Sequence, residues 1–220
     1  MHASQVDENV VVTSRRRAGL IGILFLAATA IGFMNLALLG PVFSASDVVA
    51  EVAGASNQIV AATILNSIMA LAIVAIAAWF YPVLASTSKP MAIAYFVTRL
   101  AEGIILALAG ILWLGLLPNV LASAPSVVTI LDWSNVLFGI GAQVVFGVTA
   151  IILNIVLLRA KMVPSVISVW GLIGGILIFG YGTGDFLGAD IAAYEPYFFG
   201  PIALNELVLA VWLLVKGLGK

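Results

Sequence analysis

The sequence contains no cysteine and a single histidine, and few of its residues carry charge. Without cysteine, the chain cannot form disulfides, thiolate zinc sites or cysteine-ligated iron–sulfur clusters. The one histidine, His2, lies in the N-terminal tail. A histidine-ligated haem, a buried metal site and a serine–histidine–aspartate catalytic set are therefore not expected, and no cofactor or metal is predicted. The formal net charge of −1 gives no reason to expect nucleic acid as a partner.

The overall composition is that of a membrane protein. Hydrophobic residues make up 63% of the chain and charged residues only 9%, whereas soluble domains contain about 25% charged residues. Each apolar segment is near the ~20 residues needed to span a bilayer and is continuously apolar, which favours helices over alternating barrel strands. We predict an all-α, polytopic membrane helix bundle with six transmembrane helices, at about Ala18–Leu39, Ile59–Leu84, Met91–Leu116, Trp133–Leu158, Ser165–Tyr181 and Phe199–Val215.

Residues 1–17 form a polar tail, and residues 18–217 form the six-span domain. Arg15–Arg17 followed by an apolar run has the layout of a signal peptide. That run reaches about Leu39, which is longer than the roughly 7–15 residues of a signal hydrophobic region. We therefore expect an uncleaved first span.

Apart from Arg99, lysine and arginine are confined to one set of ends of the six predicted spans and to the tails. The residues that precede or join spans at that side are Arg15–Arg17, Lys89, Arg159 and Lys161. The last span is followed by Lys216 and Lys220. Acidic residues occupy the opposite connections. The positive-inside rule then predicts that both termini lie in the cytoplasm. Five or seven spans would spoil this segregation. Membrane lipids are the expected partners, and a homo-oligomer is left open.

The connections on the acidic side are the longer ones. Residues 40–58 are predicted to include a short amphipathic helix around Asp47–Ala53, and residues 117–132 and 182–198 are candidates to cap the bundle. We find no internal repeat, which weakens a reading as an inverted-repeat transporter.

Span three carries two charges, Arg99 and Glu102, three residues apart. Charge inside hydrocarbon costs roughly 2.5–3.5 kcal/mol per residue on insertion scales, so it usually marks a packed or functional site. Arg99 shares a helical stripe with small residues such as Gly103, which predicts that it points into the bundle. Glu102 can pair with it, as i,i+3 neighbours do. Tyr95 could contact the guanidinium, although packing between helices is the simpler expectation.

Span six carries a third charge, Glu206. Counted along the helices, Arg99 and Glu206 both lie about 12–14 Å from the inner boundary, so a contact is permitted. Two interpretations follow: a structural ion-pair cluster that locks spans three and six, or a ligand, substrate or proton site built on the same residues. One guanidinium faces two carboxyls, and a neutral buried carboxyl could act as a general acid.

The amide residues Asn66, Gln143, Asn154 and Asn205 also lie within predicted spans. Hydrogen bonds between helices are their expected role. Asn205, which precedes Glu206, is in addition a candidate ligand-binding residue together with Arg99, Glu102 and Glu206.

Two segments carry a family resemblance. The sequence resembles the bacterial membrane family catalogued as domain of unknown function 4386 in two places. One is Thr98–Glu102 after the Lys89–Pro90 turn, and the other is Asn205–Leu207 followed by Trp212–Gly217. The resemblance implies six or seven spans and a bacterial inner membrane as the location, but no activity, cofactor or substrate. The chain departs from the family pattern at Ala70–Ile73, where it lacks an acidic residue, so an acidic ligand there is not carried over.

Three functions remain open on these grounds. The leading hypothesis is an integral membrane protein that binds a small or lipid-like anionic ligand at the Arg/Glu cluster. The alternative is a small membrane-embedded enzyme acting on a lipid or isoprenoid, in the manner of membrane terpene cyclases, with Glu102 or Glu206 as general acid. The third is a small transporter.

Overall fold

The computed structural model describes residues 2–121 and 127–219, and these ranges contain helices and no strand. The helices are α1 His2–Phe43, α2 Val48–Gly54, α3 Ser56–Ala85, α4 Lys89–Leu112, α5 Pro118–Leu121, α6 Val127–Gly139, α7 Phe146–Arg159, α8 Ser165–Phe186 and α9 Glu195–Val215. A 3₁₀ turn, Trp113–Leu116, extends α4, and another, Ala192–Tyr194, precedes α9. A π-helical segment, Ile140–Val145, joins α6 to α7.

Six helical stretches of the described chain are long and apolar enough to cross a membrane, which confirms the predicted fold class. They run over Arg15–Phe43, Ser56–Ala85, Lys89–Leu116, Val127–Arg159, Ser165–Phe186 and Ala192–Val215. The fourth stretch consists of α6, the π-helical segment and α7. Each stretch contains or overlaps one predicted apolar segment, because continuous hydrophobicity over about 20 residues satisfies both the helix and the bilayer.

The short connections are set by proline. Ser88 has an extended backbone directly before Lys89–Pro90 at the start of α4, and Pro164 is extended directly before α8. Proline cannot continue the preceding helix but is well tolerated in a first helical turn, where its missing N–H would have no partner.

A short helix and a polar tail are predicted in the N-terminal half. α2, at Val48–Gly54, is the short helix predicted around Asp47–Ala53, and the Asp47 carboxylate caps it by accepting from the Ala50 N–H at 3.1 Å. The backbone before Arg15 continues α1 as helix from His2. Of the predicted connection 117–132, residues 122–126 lie outside the described part of the chain.

The six spans form a closed ring. Each span packs against the next one in the chain, and α9 packs back against α1. The ends that carry Arg15, Lys89, Arg159 and Lys216 lie together, and we call this the basic end; the opposite one is the acidic end. α4 and α9 stand three places apart in this ring, so side chains from these two helices can meet near its centre.

Small residues bring neighbouring helices close together. A Cβ placed on Gly22 of α1 would lie 2.7 Å from the carbonyl oxygen of Ala210, and one on Gly147 would lie 2.7 Å from the Cβ of Phe179. Apolar side chains gain little from meeting one another inside lipid, so close backbone packing of this kind is a main source of helix association.

Candidate functional site

Arg99 lies near the middle of α4 and is only 2% exposed. The buried face of α4 includes the predicted stripe of small and large residues around it. At Gly103, one turn further along, a Cβ would lie 3.1 Å from the carbonyl oxygen of Ala70 on α3. Because α3 and α4 approach so closely there, Arg99 is directed away from lipid and into the ring of helices.

The Arg99 guanidinium holds both carboxylates. Its Nη1 donates to Glu102 Oε1 at 3.0 Å and to Oε2 at 3.3 Å, and its Nη2 donates to Glu206 Oε1 at 3.3 Å. Two ion pairs result, one within α4 and one that joins α4 to α9. The contact between Arg99 and Glu206, which their equal depth in the membrane permits, is therefore present. The planar fork of donors on arginine accounts for its ability to hold two acids at once.

Tyr95 takes part in this cluster. Its side chain is fully buried against Phe80, with ring centroids 6.0 Å apart, as expected for a packing residue. Its hydroxyl also accepts a hydrogen bond from Arg99 Nε at 3.3 Å. The simpler expectation of packing alone was thus incomplete: Tyr95 lies one helical turn before Arg99, close enough for both roles.

Aromatic rings enclose the guanidinium on other sides. The Arg99 Cζ lies 5.7 Å from the ring centroid of Phe25 on α1 and 5.4 Å from that of Phe146 on α7. These distances are within the range of cation–π attraction. Together with Glu206 on α9, these contacts tie four of the six spans to one side chain.

The two acids are held unequally. The Glu102 side chain is 3% exposed and receives two bonds from Arg99, whereas the Glu206 side chain is 20% exposed and receives one. The cluster contains one cationic group and two acidic groups. Glu206 is therefore the more weakly held and more accessible acid.

Three of the four amides named above donate to a different span. Asn66 Nδ2 donates to the Leu106 carbonyl of α4 at 2.6 Å, and Asn205 Nδ2 donates to the Ile167 carbonyl of α8 at 2.8 Å. Gln143 Nε2 donates to Glu195 Oε1 at 3.1 Å. Asn154 differs: its Nδ2 donates to Ala150 of its own helix at 2.9 Å.

The Asn205 contact bears on its candidate role. Its amide nitrogen is occupied by α8, and the side chain lies against Gly171, where a Cβ would overlap the amides of both Asn205 and Asn154. Asn205 thereby fixes α9 against α8 directly beside Glu206.

Several residues at the cluster carried no signal in the sequence. Phe25 and Phe146 are ordinary apolar residues of apolar spans, and only the fold shows that they face Arg99. Thr149 is fully buried beside the Glu102 carboxyl, and its hydroxyl donates to the Val145 carbonyl at 2.8 Å. The π-helical segment Ile140–Val145 directly precedes Phe146 and sets the rotation of α7; such segments are frequent at functional sites.

Beyond the cluster, a shallow apolar groove runs along the outer face of α9. Neither acid of the cluster lines it; its lining residues are Leu207, Val208, Val211, Trp212, Val215 and Lys216. Within the described ranges, no group of three or more histidine, cysteine or acidic residues is arranged to hold a metal ion.

The family model described as domain of unknown function DUF4386 matches residues 20–217, nearly the whole chain, and confirms the resemblance found in the sequence. Neither the curated proteins nor the solved structures include a significant match to this chain.

We expect Arg99→Met to lower the free energy of unfolding by about 3–5 kcal/mol, because it leaves the buried Glu102 without its partner. Unfolding of purified protein in mixed micelles measures this loss. Adding Glu102→Gln and Glu206→Gln to Arg99→Met should recover part of the stability, since the uncompensated acids are then removed. Equal stability of Arg99→Met and the wild type would contradict a stabilising ion-pair cluster.

Proposed function

Because this chain belongs to the DUF4386 family, whose description specifies no activity, we propose a function from the site itself. The protein is an integral membrane protein that binds a small or lipid-like anion at Arg99. The ligand takes the place of Glu206 on the guanidinium, while Glu102 stays bound. Arg99, Glu102 and Glu206 are the ligand-binding residues of this proposal, and Asn205 positions Glu206.

The observation that carries the proposal is the inequality of the two acids. Glu206 is bound through a single contact of 3.3 Å, and a fifth of its side chain is exposed. Glu102 is bound through two contacts and is almost wholly buried. A carboxylate or phosphate presents oxygens suited to the arginine fork, so it can replace Glu206 at Nη2 without disturbing the Arg99–Glu102 pair.

Charge balance adds a condition to this exchange. The cluster already has one more acidic than basic group, and an incoming anion would add another negative charge in a region of low dielectric. Glu206 therefore takes up a proton when the anion displaces it. Binding of one anion is coupled to binding of about one proton, which gives the site a pH dependence set by charge counting.

A second candidate is the membrane enzyme acting on a lipid or isoprenoid. One observation favours it: the accessible Glu206, once protonated, is placed to donate a proton to an apolar substrate. Product formation from a lipid extract, lost in Glu206→Gln, would support the enzyme over a binding protein. A proton-coupled transporter would instead move the anion across a vesicle membrane.

We also propose that the basic end faces the cytoplasm of a bacterial cell and that both termini lie there. All described lysines and arginines other than Arg99 lie at this end, in keeping with the positive-inside rule.

We expect Glu206→Gln to bind a fatty-acid anion more tightly than the wild type at pH 8, because the amide mimics the protonated acid. Dodecanoate binding to purified protein, followed by native mass spectrometry and calorimetry between pH 6 and 8, is the measurement. Wild-type affinity should fall by up to about tenfold per pH unit as pH rises, and Glu206→Gln should show no such dependence.

Glu51→Gln is the matched control, since it removes an exposed acid of α2 at the acidic end and leaves the cluster intact. Arg99→Gln should abolish dodecanoate binding in protein that still elutes as a folded species. Unchanged affinity and pH dependence in Glu206→Gln would overturn the exchange of Glu206 for the anion.

Orientation can be read directly because the chain has no native cysteine. Thr87→Cys lies in the exposed connection between α3 and α4 at the basic end, and Asp190→Cys lies in an exposed connection at the acidic end. A membrane-impermeant maleimide applied to intact spheroplasts should label Asp190→Cys and should label Thr87→Cys only after lysis. The reverse pattern would place the termini outside the cytoplasm.

A further inference from the structure

The apolar groove on α9 has the shape and chemistry of a surface for an extended hydrocarbon chain. Its residues repeat at helical spacing in two rows, Leu207, Val211 and Val215 beside Val208, Trp212 and Lys216. Val211 is 51% exposed and Val215 is 57% exposed, so the rows face outward. Two such rows leave a shallow channel that runs along the helix axis toward the basic end.

The groove ends at positive charge. Lys216 is its last lining residue and is exposed. Gly217 follows with a positive φ of 76°, and a Cβ there would lie 3.9 Å from Cγ of Arg15 on α1. Because Gly217 directly follows Lys216, the exposed Arg15 lies near the C-terminal end of α9, where the groove ends.

The C-terminal residues hold this arrangement in place. The N–H of Gly219 donates to the Met162 carbonyl at 2.7 Å, and a Cβ on Gly219 would lie 3.3 Å from the Lys161 carbonyl oxygen. The segment after α9 is thus bound to the connection between α7 and α8. Basic residues from three separate parts of the chain, Arg15, Lys161 and Lys216, are brought to one end of the bundle.

No acidic residue from position 15 onward offsets this charge. Glu102 and Glu206 are inside the bundle, and the remaining acids after residue 15 lie at the acidic end, in connections or near helix ends. The groove therefore combines an apolar channel with a positively charged mouth, and Trp212 lies one turn before Lys216, as interfacial tryptophans do.

We propose that this groove binds an anionic phospholipid, with an acyl chain along α9 and the phosphate at Lys216 and Arg15. The charge complementarity selects the headgroup, since basic pockets at the ends of membrane helices bind anionic lipid headgroups. The apolar rows select a lipid over a free phosphate. This site is separate from the Arg99 cluster, whose acids do not line the groove.

Delipidated full-length protein in detergent, titrated with phosphatidylglycerol and with phosphatidylcholine of the same acyl chains, tests the proposal by native mass spectrometry. The wild type should bind phosphatidylglycerol more tightly. Arg15→Gln combined with Lys216→Gln should weaken phosphatidylglycerol binding by about 10- to 30-fold and leave phosphatidylcholine binding unchanged. Lys89→Gln, at another exposed basic position of the same end, is the matched control and should have no effect.

The acyl part is tested separately. Val211→Gln places an amide in the groove and should weaken binding of both lipids, whereas Ile104→Gln, at an exposed position on α4 outside the groove, should not. Glycerol 3-phosphate should fail to compete. The proposal is overturned if the wild type binds both lipids equally, if Lys89→Gln acts like the double variant, or if Val211→Gln changes nothing.

Discussion

The fold depends on pairing one buried guanidinium at the centre of six helices. Arg99 cannot be neutralised, and an unpaired charge at this depth would be strongly unfavourable. Glu102 supplies a partner from the same helix and Glu206 supplies one from across the ring. Since both partners must stay within hydrogen-bond distance, α4 and α9 are fixed in relative height and rotation. The glycine contacts between neighbouring spans then allow the ring to close at that position.

The ion-pair cluster around Arg99 is also the basis of the proposed function. A pair made only for stability would bury both acids alike, but Glu206 is partly exposed and bound through one oxygen. The surplus acidic group makes exchange with an anion dependent on a proton. At the basic end, positive charge is instead exposed and lies beside an apolar groove, so it suits a lipid headgroup. The two proposals thus assign the buried cation and the exposed cations to different ligands.

The six spans could be predicted from the sequence, because length and continuous hydrophobicity determine them. The set Arg99, Glu102 and Glu206 could also be predicted, because charges are so rare within apolar helices. The partly exposed state of Glu206 depends on how α9 sits between its neighbours. The contacts of Phe25 and Phe146 with Arg99 depend on helix rotation, which includes the π-helical segment before Phe146. Asn154 was expected to join helices and bonds its own helix instead, since a carbonyl one turn earlier is always within reach of such a side chain.

A double-mutant cycle between Arg99 and Glu206 tests the central claim most directly. Unfolding free energies of Arg99→Met, Glu206→Gln and the double variant, measured in the same micelles, give the interaction energy of the two side chains. Contact across the ring predicts a coupling of about 1–3 kcal/mol. Additive effects, within about 0.5 kcal/mol, would show that Arg99 and Glu206 do not interact and would contradict the account.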